Sequence, residues 1–115
     1  MSIKSQTLDE SNVVILEPKG SLIGGMETEE LKTTLMKLME QGTVKVIVDL
    51  AGVEYLNSSA IGVLTVSHTT LMSHGGKLIL CNVNKSISNI FLVTKLSTIF
   101  RSEDKREDAI LAMGK

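Results

Sequence analysis

Tryptophan is absent from this sequence, and aromatic residues of any kind make up only 3% of it. A core must therefore be assembled from Val, Ile, Leu and Met. The same scarcity leaves few rings on which nucleic-acid bases could stack. Neither charge sign dominates: the net charge is −1, with no basic stripe, so no nucleic-acid partner is expected. One cysteine, Cys81, excludes an internal disulfide. Its neighbours Lys77-Leu78-Ile79-Leu80 read as a strand, which predicts a buried, inert thiol. No apolar run approaches the roughly 20 residues that cross a bilayer, so no direct membrane insertion is expected. Residues 1–10 carry Lys4, Asp9 and Glu10 without an apolar stretch, which predicts no signal peptide and a cytoplasmic protein. At 115 residues the chain fits one domain, 1–115, able to bury one modest core.

Reaction chemistry is also scarce. His68 and His74 stand six apart on a predicted helix, off a common face, with no Cys or paired carboxylate nearby in sequence. That spacing does not suit a metal, and none is expected. His74 reads as a helix C-terminal residue and His68 as a half-buried helix position. Gly24-Gly25 and Gly75-Gly76 lack the spacing and the Lys-Ser/Thr of a phosphate-binding loop. There is no Gly-x-Ser-x-Gly elbow. Asp49 ends a predicted strand, where function often gathers in α/β sheets; its plainer reading is a carboxylate that satisfies local backbone donors. No catalytic residue and no cofactor is expected, and the chain does not read as an enzyme.

What is present is a regular alternation of strands and helices. Residues 3–8 predict a strand, and Asp9, Glu10, Ser11 and Asn12 a turn. Val13-Val14-Ile15-Leu16 suits a strand covered on both faces, closed by Pro18 and Gly20. The two should form an antiparallel hairpin. After Gly24-Gly25, Leu31, Leu35, Leu38 and Met39 recur at helical period, with Glu27, Glu29 and Glu30 at the start and Gly42 as the stop. Residues 44–50 predict a strand with Val44, Val46, Val48 and Leu50 on one face and Ile47 on the other. Residues 51–57 read as a loop. A helix from about Ser58 to Ser73 ends at Gly75-Gly76, and residues 77–81 form a strand. Asn84 or Ser86 can cap a third helix bearing Ile87, Ile90 and Phe91. Ile99-Phe100 reads as a short strand and Ser102 as the start of a last helix. The expected fold is α/β, a mixed sheet of about four or five strands with four helices, in the order β-β-α-β-α-β-α-β-α.

One stretch stands apart: Asn57-Ser58-Ser59-Ala60-Ile61-Gly62, where three consecutive polar residues open an apolar helix. Asn and Ser are favoured N-caps, and any of the three could cap here. A hydroxyl at that end also lies beside unpaired backbone N–H groups and the positive end of the helix dipole, where a phosphate is accommodated. Phosphorylation would add about −1.5 to −2 charges to a nearly neutral patch. Gly62 would permit close approach of another backbone, or tight packing on the sheet.

These residues resemble the segment of STAS domains, the family of anti-sigma-factor antagonists, in which an aspartate is followed by Ser-Ser/Thr-Gly-Leu-Gly. The resemblance runs along nearly the whole chain. Gly20-Ser21-Leu22 is similar to the family's Gly-x-Leu turn, Gly75-Gly76-Lys77-Leu78 to its Gly-Gly-x-Leu strand entry, and residues 92–100 to its segment before the last strand. It implies a single STAS domain that works by partner switching. Ser58 would be the phosphorylated serine, with Ser59 as the second choice. The partners would be an anti-sigma serine kinase, which binds the unphosphorylated form, and a serine phosphatase. The implied partner surface comprises Leu22, Ile23, Gly24, Gly25, Leu56, Asn57, Ser58, Ser59, Ile61 and Gly62, drawn from 22–26, 53–56 and the start of the second helix. The free protein would be a monomer or weak dimer. The alternative is an unphosphorylated STAS subunit of a transporter-associated or signalling assembly. Asn57, Ala60 and the Ile23-Gly24-Gly25 loop depart from the family pattern of aspartate, glycine and aspartate at the corresponding places.

Overall fold

The structure, a computed structural model, describes residues 3–8 and 12–114. Strands β1 (Lys4–Leu8) and β2 (Val13–Glu17) form the expected antiparallel hairpin. Asp9, Glu10 and Ser11 of the expected turn lie outside the described residues, and Asn12 adopts a left-handed φ of 57°. Three further strands extend the sheet in parallel: β2 pairs with β4 (Lys45–Asp49), β4 with β6 (Lys77–Cys81), and β6 with β7 (Arg101–Glu103). The order β1-β2-β4-β6-β7 is a mixed five-stranded sheet.

Two strands were not expected. After Pro18 and Lys19 the chain resumes as β3 (Gly20–Leu22), and the segment read as a loop contains β5 (Val53–Leu56). These pair in parallel as a separate two-stranded ribbon. β2 and β4 are thus each followed, after a short break, by a second strand that pairs with the other's continuation. Pro18 has no N–H to give a ladder, which suits it to the break. Gly20 N donates to Gly52 O at 2.9 Å and ties the two breaks together.

The last strand also differs from expectation. Phe100 is buried as a core side chain and Ile99 is exposed, while the strand is Arg101–Glu103. Ser102 therefore lies in that strand, and α4 (Arg106–Met113) starts four residues later than predicted.

The central strands are buried on both faces because their side chains alternate between two cores. Val14, Leu16, Val46, Val48, Leu78 and Leu80 face the larger core with α1 (Met26–Glu40), α2 (Ser58–Ser73) and α3 (Lys85–Val93). Val13, Ile15, Ile47, Ile79 and Cys81 face the smaller one, closed by Ala109, Ala112 and Met113 of α4. Leu31 and Leu35 carry the buried stripe of α1. Gly42 ends that helix at φ 89°, and Thr43 N returns to Leu38 O at 2.9 Å.

Gly76 is required by packing: a Cβ there would run into the Val44 carbonyl, which accepts from Lys77 N at 2.9 Å. The Gly-Gly-Lys-Leu strand entry is thus a close backbone approach. No helix among the described residues is long and apolar enough to cross a membrane.

Candidate functional site

The ribbon delivers the polar segment to one end of the molecule. Asn57 N donates to Leu22 O at 3.0 Å, which extends the β3–β5 pairing to the first residue before α2. Asn57 then stays extended, at φ −110° and ψ −171°, and its side chain turns back over the helix. Its Oδ1 accepts from Ser59 N at 3.0 Å and Ala60 N at 3.4 Å. Asn57 is therefore the N-cap, and the choice that the sequence left open is settled. Third in the helix, Ala60 is fully buried.

Ser58 is the first helical residue. Its hydroxyl is exposed and makes no side-chain hydrogen bond among the described residues. The first turn of α2 carries no acidic residue. A free hydroxyl thus stands at the positive end of a 16-residue helix with no carboxylate in its own turn. Ser59 is also exposed, but it turns toward the loop before α1: a Cβ on Gly24 would lie 3.3 Å from Ser59 Oγ. Gly24 sits at φ 93°, so backbone conformation and this approach both favour glycine. Its N–H donates to Thr28 Oγ1 at 2.9 Å, which fixes the loop on α1.

Ile23, Tyr55 and Met26 are exposed at the ends of the ribbon and the start of α1, Met26 at 85%. Leu22 and Leu56 are fully buried, and Ile61 is half-buried. Leu22 and Leu56 were expected on the partner surface, but full burial keeps them from touching a partner; they belong to the core beneath it. Gly62 is exposed, and a Cβ there would meet nothing within 4 Å, so packing on the sheet does not explain it.

Asp49 occupies a different place. It is 3% exposed, and its Oδ1 accepts from Ala51 N and Asn82 Nδ2, both at 3.0 Å. Its Oδ2 accepts from Arg106, which also pairs with Glu17 at 2.8 Å. Burial pushes the Asp49 carboxyl up, but the hydrogen bonds from Asn82, Ala51 and Arg106, with the Arg106 charge, outweigh it and hold it below its usual value. The local backbone donor expected for Asp49 is present; Arg106 was missed because 57 residues separate the two. Burial, reinforced by the Asp49 charge, pushes the Cys81 thiol up to about 12. Cys81 is the buried thiol that its strand context predicted.

His74 caps the C-terminus of α2, and its ring Nδ1 lies 2.9 Å from Thr70 O. His68 is half-buried against Phe100, with ring centroids 5.8 Å apart. Among the described residues no three His, Cys, Asp or Glu side chains gather as a metal ion would require.

Comparison with known proteins agrees with this architecture. The family model described as the STAS domain matches residues 4–109. A Bordetella bronchiseptica protein, BtrV, proposed to be an anti-sigma factor antagonist, is 23% identical over 106 residues, covering 92% of this chain and 91% of its own. A crystal structure from Thermotoga maritima, of a protein also proposed to be an anti-sigma factor antagonist, superposes with a TM-score of 0.89. It is 23% identical, covering 98% of this chain and 95% of that one. The Bacillus cell-fate determinant SpoIIAA in its phosphorylated form superposes at 0.72, with 18% identity over 94% of this chain and 96% of that one. At these identities the superpositions speak for the fold alone.

Proposed function

The chain belongs to the STAS domain family, and from that premise we propose that it is an anti-sigma-factor-antagonist-like binding module, switched by reversible phosphorylation of Ser58. The observation that carries this reading is the division of labour at the start of α2. Asn57 takes the capping role, so the Ser58 hydroxyl is left exposed and unbonded where the helix dipole favours a phosphate. A serine needed as the cap would have its oxygen committed to backbone N–H groups.

Its partners in this reading are an anti-sigma serine kinase and a serine phosphatase, acting in the cytoplasm. Relatives named as anti-sigma factor antagonists, and a structural neighbour solved with its phosphate, support it. The docking surface is the exposed rim around Ser58, formed by Ile23, Gly24, Gly25, Ser59 and Gly62 with the half-buried Asn57, while Leu22, Leu56 and Ile61 hold it from beneath. Phosphate on Ser58 would set a desolvation cost and a charge against docking without touching the core. The module performs no reaction of its own.

The test is incubation with the cognate serine kinase and ATP, read on a phosphate-retarding gel. The wild type shifts, Ser58→Ala does not, and Ser59→Ala still does. A shift lost in Ser59→Ala alone moves the switch to Ser59. A wild type that binds its partner but is never phosphorylated makes it the unphosphorylated subunit instead. Ser58→Asp weakens kinase binding while its melting temperature stays near wild type.

A further inference from the structure

Leu22 and Thr28 are buried, and the residues between them, Ile23, Gly24, Gly25, Met26 and Glu27, are all exposed. Ile23-Gly24-Gly25 leads into α1 and forms part of the rim around Ser58. Two adjacent glycines leave its backbone permissive. The start of α1 does not steady it from within the loop. Gly25 is the N-cap, and no side-chain cap hydrogen bond is made there. The Gly25 carbonyl accepts from Glu29 N at 3.0 Å, the first bond of the helix itself.

Thr28 supplies the tie. It is the third residue of α1, and its Oγ1 accepts from Gly24 N at 2.9 Å. A side chain at that position reaching back to an N–H before the helix is half of a capping box, here set one residue further back. Among the described residues no other side chain hydrogen-bonds to Ile23, Gly24 or Gly25. The bond sets where Gly24 lies. At φ 93°, the place its Cβ would take is 3.3 Å from Ser59 Oγ, next to Ser58 in the chain. Thr28 is 4% exposed, so it fixes the spacing between the loop and the start of α2 from beneath.

We propose that Thr28 is a positioning residue for the phosphorylation of Ser58, its hydroxyl holding the Ile23-Gly24-Gly25 loop in the arrangement that the kinase recognises. The inference rests on the reading of Ser58 as the switch. Thr28 is buried and not bonded to Ser58, so its loss weakens docking and leaves the chemical step intact.

The experiment measures phosphorylation rates with the cognate serine kinase and ATP while the concentration of this chain is varied. Thr28→Val keeps the shape of the side chain and removes the acceptor. KM for this chain should rise about fivefold or more while kcat changes less than about twofold, the pattern of lost binding shared by ground and transition states. Thr28→Ser keeps the acceptor, and its KM should stay within about twofold of wild type. Amide exchange at Gly24 should quicken in Thr28→Val and not in Thr28→Ser, with both melting temperatures near wild type. An unchanged KM in Thr28→Val overturns the assignment while leaving Ser58 as the switch. So does a Thr28→Ser that behaves as Thr28→Val does, since the hydroxyl then plays no part. A lowered melting temperature with kcat and KM both impaired in Thr28→Val makes Thr28 structural only and overturns it too. A wild type that is never phosphorylated overturns the reading of Ser58, and this inference with it.

Discussion

Arg106 places two nitrogens on one carboxylate oxygen of Asp49, Nε at 3.0 Å and Nη2 at 2.8 Å from Oδ2. The pair joins the first turn of α4 to the C-terminal end of β4, and Glu17 brings in the end of β2. α4 is the helix that closes the smaller core, so this ion cluster and three side chains, Ala109, Ala112 and Met113, fasten it. Arg106→Ala should cost about 2–3 kcal/mol in urea unfolding. That is less than the roughly 3–5 of a fully buried pair, because Asp49 keeps Asn82 and Ala51 as donors.

The same carboxylate sets an acid response. Its folded pKa lies below the unfolded value of about 3.9, so its stabilisation is complete above that pH and is lost as pH falls through the folded pKa. Urea midpoints measured from pH 6 to pH 2 should fall more steeply for the wild type than for Asp49→Asn. Parallel curves would assign acid sensitivity to other groups.

Asn57→Ala removes the cap and should destabilise the protein by about 1 kcal/mol. Ser58→Ala should change stability by less than about 0.5 kcal/mol, as for an exposed surface position. Asn57→Asp should stabilise by about 0.3–1 kcal/mol through the dipole. Equal losses for Ser58→Ala and Asn57→Ala in thermal melts would mean that the two share the cap.

Three glycines should respond differently to alanine. Gly76→Ala drives a methyl into the Val44 carbonyl and should cost more than about 3 kcal/mol, or prevent folding. Gly75→Ala meets no atom but sits at φ 82°, so the cost should be about 1–2 kcal/mol. Gly62→Ala should raise stability by about 0.5–1 kcal/mol. A Gly62→Ala that melts lower than the wild type would show that the glycine serves the fold after all.

Cys81 should be silent toward thiol reagents. With its thiol pushed up to about 12 and buried under α4, almost no thiolate is present or reachable at neutral pH. Labelling with a chromogenic disulfide should be absent in buffer and complete in guanidinium. Rapid native labelling would place α4 in an open state.

Regular alternation made much of this fold readable. The two-faced strand β4 and the Leu31/Leu35 stripe follow from periodicity, the hairpin from the turn cluster after residue 8, and the α2 limits from its polar start and Gly75-Gly76, and the structure agrees with each. The short elements were hidden. Three residues of β3 and four of β5 are too few to show a period, and Gly20 and Ser21 look like turn residues. At β7 the apolar pair Ile99-Phe100 drew the strand two residues early, because Phe100 packs into the larger core rather than the ladder. The polar triplet at 57–59 was visible, but not which residue caps. Hydrogen-bond direction decides that, and sequence does not record it. The Arg106 cluster joins distant segments and leaves no local pattern.

The forked sheet separates what is firm from what can yield. The central strands β2, β4 and β6 are held on both faces, whereas the β3–β5 ribbon has three register pairs and stands outside that sheet. Amide exchange should therefore release the ribbon well before Val46–Val48. The end of the molecule that carries Ser58 should then open on its own clock, without the rest of the protein unfolding.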